Sequence, residues 1–234
     1  MLIPSNPLKM AGQMDPSEMS KSHTLASMLS GGKLAAMDEE VRACKIARAM
    51  LSGPSHITKD ATVIDDELKP DGTPLILRFP TNPNNKWVLM PGNENKVGMA
   101  PMCADPHGMA WAMSIMAKKP YPENTQTGII YMLCGATQHS NTDALDKTSP
   151  ALPIGPHWMI VWPHDPKDAS KNMTGSRMGI PSTVRDAGAW QMFDNTSYAY
   201  THICGNPWVG NEYDPVKMKP VWTMQYQSSA SLEG

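Results

Sequence analysis

The sequence predicts a mainly β, α+β fold: an antiparallel β-sandwich or barrel with one or two flanking helices. Short β-prone runs recur along the chain, and Pro and Gly are frequent between them, with 22 and 17 of 234 residues. The strand–helix–strand alternation of a parallel sheet is absent from the pattern. Residues 1–33 are polar and aperiodic, so we expect an extended arm. Residues 34–227 then form a single β-rich domain, followed by a tail at 228–234.

The first half of the domain begins with a helix and continues with strands. Leu34–Leu51 is predicted to be helical because acidic residues lie near its start and Arg48 lies near its end, which complements the helix dipole. Gly53 and Pro54 end this helix. The β-prone runs that follow are Ala61–Asp65, Leu75–Phe79 and Trp87–Met90, with a hairpin turn at Asp71-Gly72 between the first two.

The second half begins with another helix, Pro106–Lys118, which has Pro106 in its first turn and Pro120 beyond its end. Met109, Met113 and Met116 fall on one stripe of this helix, which is typical of core packing. Four β-prone runs and a closing strand follow, at Gly128–Leu133, His157–Trp162, Gly188–Phe193, Ser197–Cys204 and Val221–Tyr226. The third and fourth of these are predicted to form a hairpin about Asp194-Asn195.

Composition argues against nucleic acid and a transmembrane segment, and it indicates how the core is filled. The net charge of −2 comes without a basic cluster, which argues against nucleic acid as a partner. The chain has no apolar run near 18 residues, so we expect no transmembrane segment. Twenty Met beside two Phe indicate that Met fills the core. The alternative for the Met excess is handling of a soft metal such as Cu(I).

The cysteines favour an oxidising compartment. Four of them, without a C-x-x-C spacing, are typical of one or two disulfides in a chain rich in Trp, Pro and Gly. We therefore predict a periplasmic or secreted protein. Residues 1–7 lack the apolar core of a signal peptide, so the signal is expected to be absent from this chain. The terminal Leu232-Glu233-Gly234 is then interpreted as a cloning remnant.

The stretch Ser197–Tyr213 concentrates the residues best suited to a site. If Ser197–Cys204 is a strand, its alternation places four side chains on one face: Tyr198, Tyr200, His202 and Cys204. His157 opens a strand that could lie beside it. With a third donor from the 135–152 loop, His139 or Asp143, these histidines would suit Zn or Cu. A small ligand at the same place would have aromatic walls from Tyr198, Tyr200, Trp158 and Trp208.

Three alternatives to a metal or ligand site are open. His157 and His202 could be buried and hydrogen-bonded to backbone carbonyls, with Cys204 in a disulfide with Cys134. Cys103, directly before the second helix and close to His107, suggests a metal-independent hydrolase with a Cys nucleophile. The chain has no G-x-S-x-G, phosphate-loop or dinucleotide motif. A third alternative is a structural protein that forms homo-oligomers through the arm of residues 1–33.

Several segments resemble a family of uncharacterised bacterial proteins that are usually labelled hypothetical. The segments that carry the resemblance are Gly128–Ala136, Ser140–Asp143, Gly155–Ile160, Thr183–Trp190 and Tyr198-Ala199, and the similarity covers about residues 40–227. The resemblance implies export and supplies no activity. The chain departs from the family at Leu89, where members have Cys, and at Tyr200, where members tend to have His. The resemblance therefore argues against a pair of histidine ligands on the Tyr200–His202 strand.

Overall fold

The computed structural model describes residues 37–69, 73–93, 95–144, 146–183 and 188–205. Its α-helices, in chain order from α1 to α4, are Glu39–Met50, Ser55–Thr58, Pro106–Met116 and Gly175–Met178, and Ala169–Lys171 is a 3-10 turn. Its strands, from β1 to β10, are Thr62–Leu68, Pro74–Arg78, Val88–Met90, Met102–Ala104, Gly128–Met132, Ala136–Gln138, Leu152–Ile154, His157–Val161, Ala189–Met192 and Tyr200–Cys204. The predicted mainly β class is confirmed.

One large sheet organises these strands. It has eight strands in the order β2-β1-β3-β4-β5-β8-β10-β9, and β6 and β7 form a separate two-stranded sheet. The neighbours are antiparallel except β1 and β3, which are parallel. The hairpin about Asp194-Asn195 is confirmed, because β9 and β10 are antiparallel neighbours. Strand β10, which comes from the stretch in which we predicted a site, therefore lies between β8 and β9.

Helices cover the two faces of the large sheet. The first face, which we call the α1 face, carries Val63, Leu77, Leu89 and Cys103 and packs against α1. The α3 face carries the larger core, in which Met109, Trp111 and Ala112 of α3 pack on strands from β3 to β9. Strand alternation assigns every other residue of each strand to this face.

Local capping explains where both long helices begin. Asp38 accepts hydrogen bonds from the backbone of Glu40 and Val41, so α1 begins at Glu39 and not at Leu34. Asp105 caps α3, as one carboxylate oxygen accepts from Gly108 N at 2.7 Å and the other from Ile129 N at 3.0 Å. The second bond ties the start of α3 to β5.

Some predictions differ from the structure or lie outside it. The short strand β6 lies within the 135–152 segment that was expected to be loop, and the short strands β4 and β7 were not predicted. Asp71-Gly72, Val221–Tyr226, the arm and the tail lie outside the described residues. Within the ranges that the structure describes, every helix is too short or too polar to span a bilayer.

Candidate functional site

The structure brings His157 and His202 together inside the α3 face. Their rings stack with centroids 4.2 Å apart and planes 22° from parallel. Trp190 stacks on the opposite side of His202, at 3.8 Å and 28°. The register explains this order, since His202 lies opposite Met159 on β8 and Trp190 on β9, while His157 lies opposite Cys204. The result is a three-ring stack, Trp190–His202–His157, across three adjacent strands.

The two imidazoles differ in how their nitrogens are satisfied. His157 is 2% exposed, and its Nδ1 lies 2.8 Å from the carbonyl oxygen of Gly155. His202 is 0% exposed, and neither of its ring nitrogens has a hydrogen-bond partner. Burying a polar group without a partner costs about 1 to 3 kcal/mol. The alternative in which both histidines bond to backbone carbonyls therefore describes His157 but not His202.

Burial keeps both rings neutral. It lowers the pKa of His157 to about 4, although the bond with Gly155 opposes the shift. Burial also lowers the pKa of His202 far below its ordinary range, and the neighbouring His157 adds to this effect. A neutral imidazole retains a lone pair on one nitrogen and is therefore able to bind a metal.

Soft sulfur donors surround the histidine pair. Across the strands, His157 faces Met132 and Cys204, and His202 faces Met159. Side chains directly opposite in antiparallel strands have Cβ atoms about 5 Å apart. Cys204 is not part of a disulfide. The groups here that could bind a metal are thus two imidazoles, one thiol and two thioethers.

A hydrogen bond to Asn141, in the 135–152 loop, fixes Trp190 at one end of the ring stack. Asn141 Oδ1 accepts from Trp190 Nε1 at 2.9 Å, and Asn141 also donates to the carbonyl oxygen of Ser182 at 2.8 Å. Trp190 was not identified from the sequence, because its place beside His202 depends on the β9–β10 register. The loop motif Ser140–Asp143 therefore positions an aromatic ring against the histidines.

The loop donors His139 and Asp143 do not complete a ligand set. His139 Nδ1 lies 2.5 Å from the carbonyl oxygen of Ser149, so this ring is held within its own loop. Asp143 is exposed, whereas His157 and His202 are buried. Across the described part of the chain, no group of three or more His, Cys, Asp or Glu side chains is arranged to hold a metal ion.

The aromatic residues predicted as ligand walls are dispersed. Tyr200 lies on the α3 face with the histidines, edge-on to Trp111, and its hydroxyl donates to Met192 Sδ at 2.9 Å. Tyr198 precedes β10 and donates to the carbonyl oxygen of Lys119. Trp158 points to the α1 face, because it neighbours His157 in the same strand. Trp208 lies outside the described residues.

The predicted disulfide between Cys134 and Cys204 is not formed. Topology gives the reason. Cys204 lies opposite His157, which lies opposite Met132, so β8 separates β10 from β5. Two strand spacings amount to roughly 9.6 Å. A disulfide needs Cα atoms about 4.4 to 6.8 Å apart. Cys134 also lies two residues beyond Met132.

Cys103 has the surroundings of a structural residue. It is 0% exposed beneath α1, and burial, with a contribution from Asp105, raises the pKa of its thiol well above the ordinary range. A nucleophilic cysteine needs a lowered pKa and access to substrate. The geometry therefore does not favour a Cys hydrolase at this position.

Comparison with known proteins gives no assignment: no family model, curated protein or solved structure matches the chain. The site has to be interpreted from its own geometry.

We expect the stability of the metal-free protein to fall as the pH drops below 6.5. The pKa of His157 lies near 4 in the folded chain, against an ordinary value of 6.5, so the unfolded chain takes up a proton first. The contribution of the neutral His157 to the free energy of unfolding is complete above pH 6.5. It is lost as the pH falls through the window from 6.5 to 4. By about pH 5, His157 alone should cost about 2 kcal/mol.

Urea unfolding at about pH 7.5 and about pH 5, with a chelator present, measures this loss. A His157→Phe variant should show a smaller pH dependence. Equal stability of the wild type at the two pH values would contradict a buried neutral His157.

Proposed function

We propose that the protein binds a Cu(I) ion at the cluster formed by His157, His202, Cys204, Met132 and Met159. The observation that carries this proposal is His202, which is fully buried with both ring nitrogens unpartnered. Such an arrangement destabilises the metal-free protein. A metal ion bound to one nitrogen would remove part of that cost.

The character of the donors favours Cu(I) over Zn. Thiolate and thioether ligands select soft metals, and imidazole suits copper as well. The residues that face the two histidines across the strands are Met132, Met159, Cys204 and Trp190, and none of them is a carboxylate. A monovalent ion bound to the thiolate of Cys204 is neutral overall, so its burial in this apolar core costs less than that of Zn²⁺.

The packing favours an ion over an organic ligand. His202 and Trp190 are 0% and 2% exposed, and α3 covers the same face of the sheet. A small organic molecule would need a cavity of several hundred Å³. An ion needs only its donors.

Binding requires the ring stack to open. Imidazole lone pairs lie in the ring plane, so the lone pairs of two stacked rings do not converge on one point. One ring has to turn before both can coordinate. Because Trp190 stacks on His202, we expect Cu(I) to change Trp190 fluorescence, and a Trp190→Phe variant should lack that part of the signal.

Anaerobic titration of the reduced chain against a chromogenic Cu(I) chelator tests the proposal. We expect one Cu(I) per chain, with the affinity lost in Cys204→Ala and in His157→Phe. The matched controls are Cys44→Ala, which removes an exposed thiol, and His164→Phe, which removes a histidine stacked on Tyr121. Both controls should retain Cu(I). Uptake that is absent from the wild type, or unchanged in the first two variants, would refute the proposal.

Export and oligomer formation stay predictions. The resemblance to an exported family favours a periplasmic or secreted protein, but the four cysteines form no disulfide that would support that prediction. The arm that would join subunits lies outside the described residues.

A further inference from the structure

A second cluster of charged groups lies beside the second half of α1, on strands other than those that carry the histidines. Here a groove of about 260 Å³ runs between α1, the end of β1 and the segment after β3. Its charged and polar lining consists of Lys45, Arg48, Asp66, Glu67, Asn93 and Asn95. The α1 wall is basic and the β1 wall is acidic.

A bulge in β1 creates the acidic wall. Ile64 pairs with Ile76 and Leu68 pairs with Pro74, so four steps along β1 match two steps along β2. In a regular strand, Asp65 and Asp66 would point to opposite faces. Here both are buried, at 1% and 7% exposure, and both approach the same ammonium group. Bulges often re-aim side chains beside functional sites.

The single ammonium group leaves one carboxyl oxygen without a donor. Lys45 Nζ bonds both oxygens of Asp65, at 2.8 and 2.7 Å, and lies 4.0 Å from Asp66 Oδ1. Asp66 Oδ2 has no hydrogen-bond partner, although the side chain is only 3% exposed. Burial and the neighbouring Asp65 raise the pKa of Asp66. Asp66 therefore lacks the donor that would stabilise its ionised form.

We propose that this groove binds a small zwitterion of the amino-acid class. Its ammonium group would supply the missing donor to Asp66, with Glu67 beside it, and its carboxylate would face Arg48. The amide groups of Asn93 and Asn95 offer further hydrogen bonds. The groove volume suits a molecule of this size.

The two charged walls distinguish the zwitterion from simpler ions. An inorganic cation at Asp66 and Glu67 would also meet Lys45 and Arg48, and a simple anion would meet both carboxyl groups. Only a molecule with both charges complements both walls. This inference is independent of the Cu(I) proposal, because it involves neither the histidines nor their strands.

Isothermal titration of the full chain with each of the twenty protein amino acids tests the inference. Ethylamine and propionate, each of which carries only one of the two charges, serve as comparison ligands. We expect at least one amino acid to bind at millimolar concentration or below, and more tightly than either fragment. Asp66→Asn should weaken that binding about tenfold or more. Glu123→Gln, which changes an acid that is paired with Lys119 and is not part of the groove lining, is the matched control.

Three results would overturn the inference: no amino acid binds, ethylamine binds as well as the best amino acid, or Asp66→Asn binds with unchanged affinity. If Asp66→Asn does not fold, the exposed Glu67→Gln serves in its place, with the same expected weakening. Asp66→Asn should keep Cu(I) binding, so failure of one proposal is distinguishable from failure of the other.

Discussion

A His202→Phe variant is expected to be more stable than the wild type and to lose Cu(I) binding. Phe keeps the stack between Trp190 and His157 while it removes two buried nitrogens that have no partner. The metal-free protein should gain about 1 to 2 kcal/mol in the free energy of unfolding. His202→Ala, by contrast, leaves a cavity and should lose about 3 kcal/mol or more.

Urea unfolding of the three proteins with a chelator present measures these differences. A His202→Phe variant clearly less stable than the wild type would mean that the His202 nitrogens are satisfied in solution. Burial of His202 would then carry no energetic cost, and a metal would not be needed to explain it.

Gly128→Ala is expected to destabilise the fold severely. A Cβ at Gly128 would lie 2.2 Å from Gly108 N and 2.7 Å from Gly108 Cα, where α3 meets β5 backbone to backbone. Because these are main-chain atoms, the contact can be relieved only by moving the helix away from the sheet. We expect a loss of about 3 kcal/mol or more, measured by thermal and urea unfolding.

Gly98→Ala is the control for this substitution. A Cβ there would meet no heavy atom within 4 Å, but the backbone has a φ of +80°. The cost should therefore be limited to conformational strain of roughly 1 kcal/mol. Equal losses in the two variants would contradict the close approach of α3 and β5.

The sequence predicts the local order of this fold better than its register. Alternation along Ser197–Cys204 correctly separates Tyr200 and His202 from Thr201, because strand geometry has a fixed period of two. The α3 start at Pro106 is likewise local, since Pro and the Asp105 cap act within one turn. Pairing between strands has no such local signal. The place of Trp190 against His202 and the separation of Cys134 from Cys204 therefore required the structure.

The acidic groove was missed for a related reason. Alternation predicts that Asp65 and Asp66 point to opposite faces, and only the β1 bulge brings both carboxyl groups to Lys45. A bulge is an exception to the periodicity on which the sequence interpretation depends. A local signal did exist, since three consecutive acidic residues in an otherwise buried strand are costly without a partner.

The surroundings of the two histidines were predicted in part. The sequence indicated His157 and His202 as neighbours, and the structure places their rings in contact. In the proposed Cu(I) site, the third donor expected from the 135–152 loop, His139 or Asp143, is replaced by the sulfur atoms of Met132, Met159 and Cys204. Met residues are interpreted from sequence as core filling, and here the same side chains are both core and candidate ligands.

X-ray absorption at the copper edge of the Cu(I)-loaded chain tests the central claim most directly. It reports the elements bound to copper without depending on how the metal-free structure rearranges. We predict imidazole nitrogen and sulfur together in the first coordination shell of the wild-type chain, and loss of the copper signal when Cys204→Ala or His202→Phe is prepared in the same way. A shell of oxygen and nitrogen without sulfur, or a spectrum that neither substitution changes, would contradict Cu(I) binding at this site.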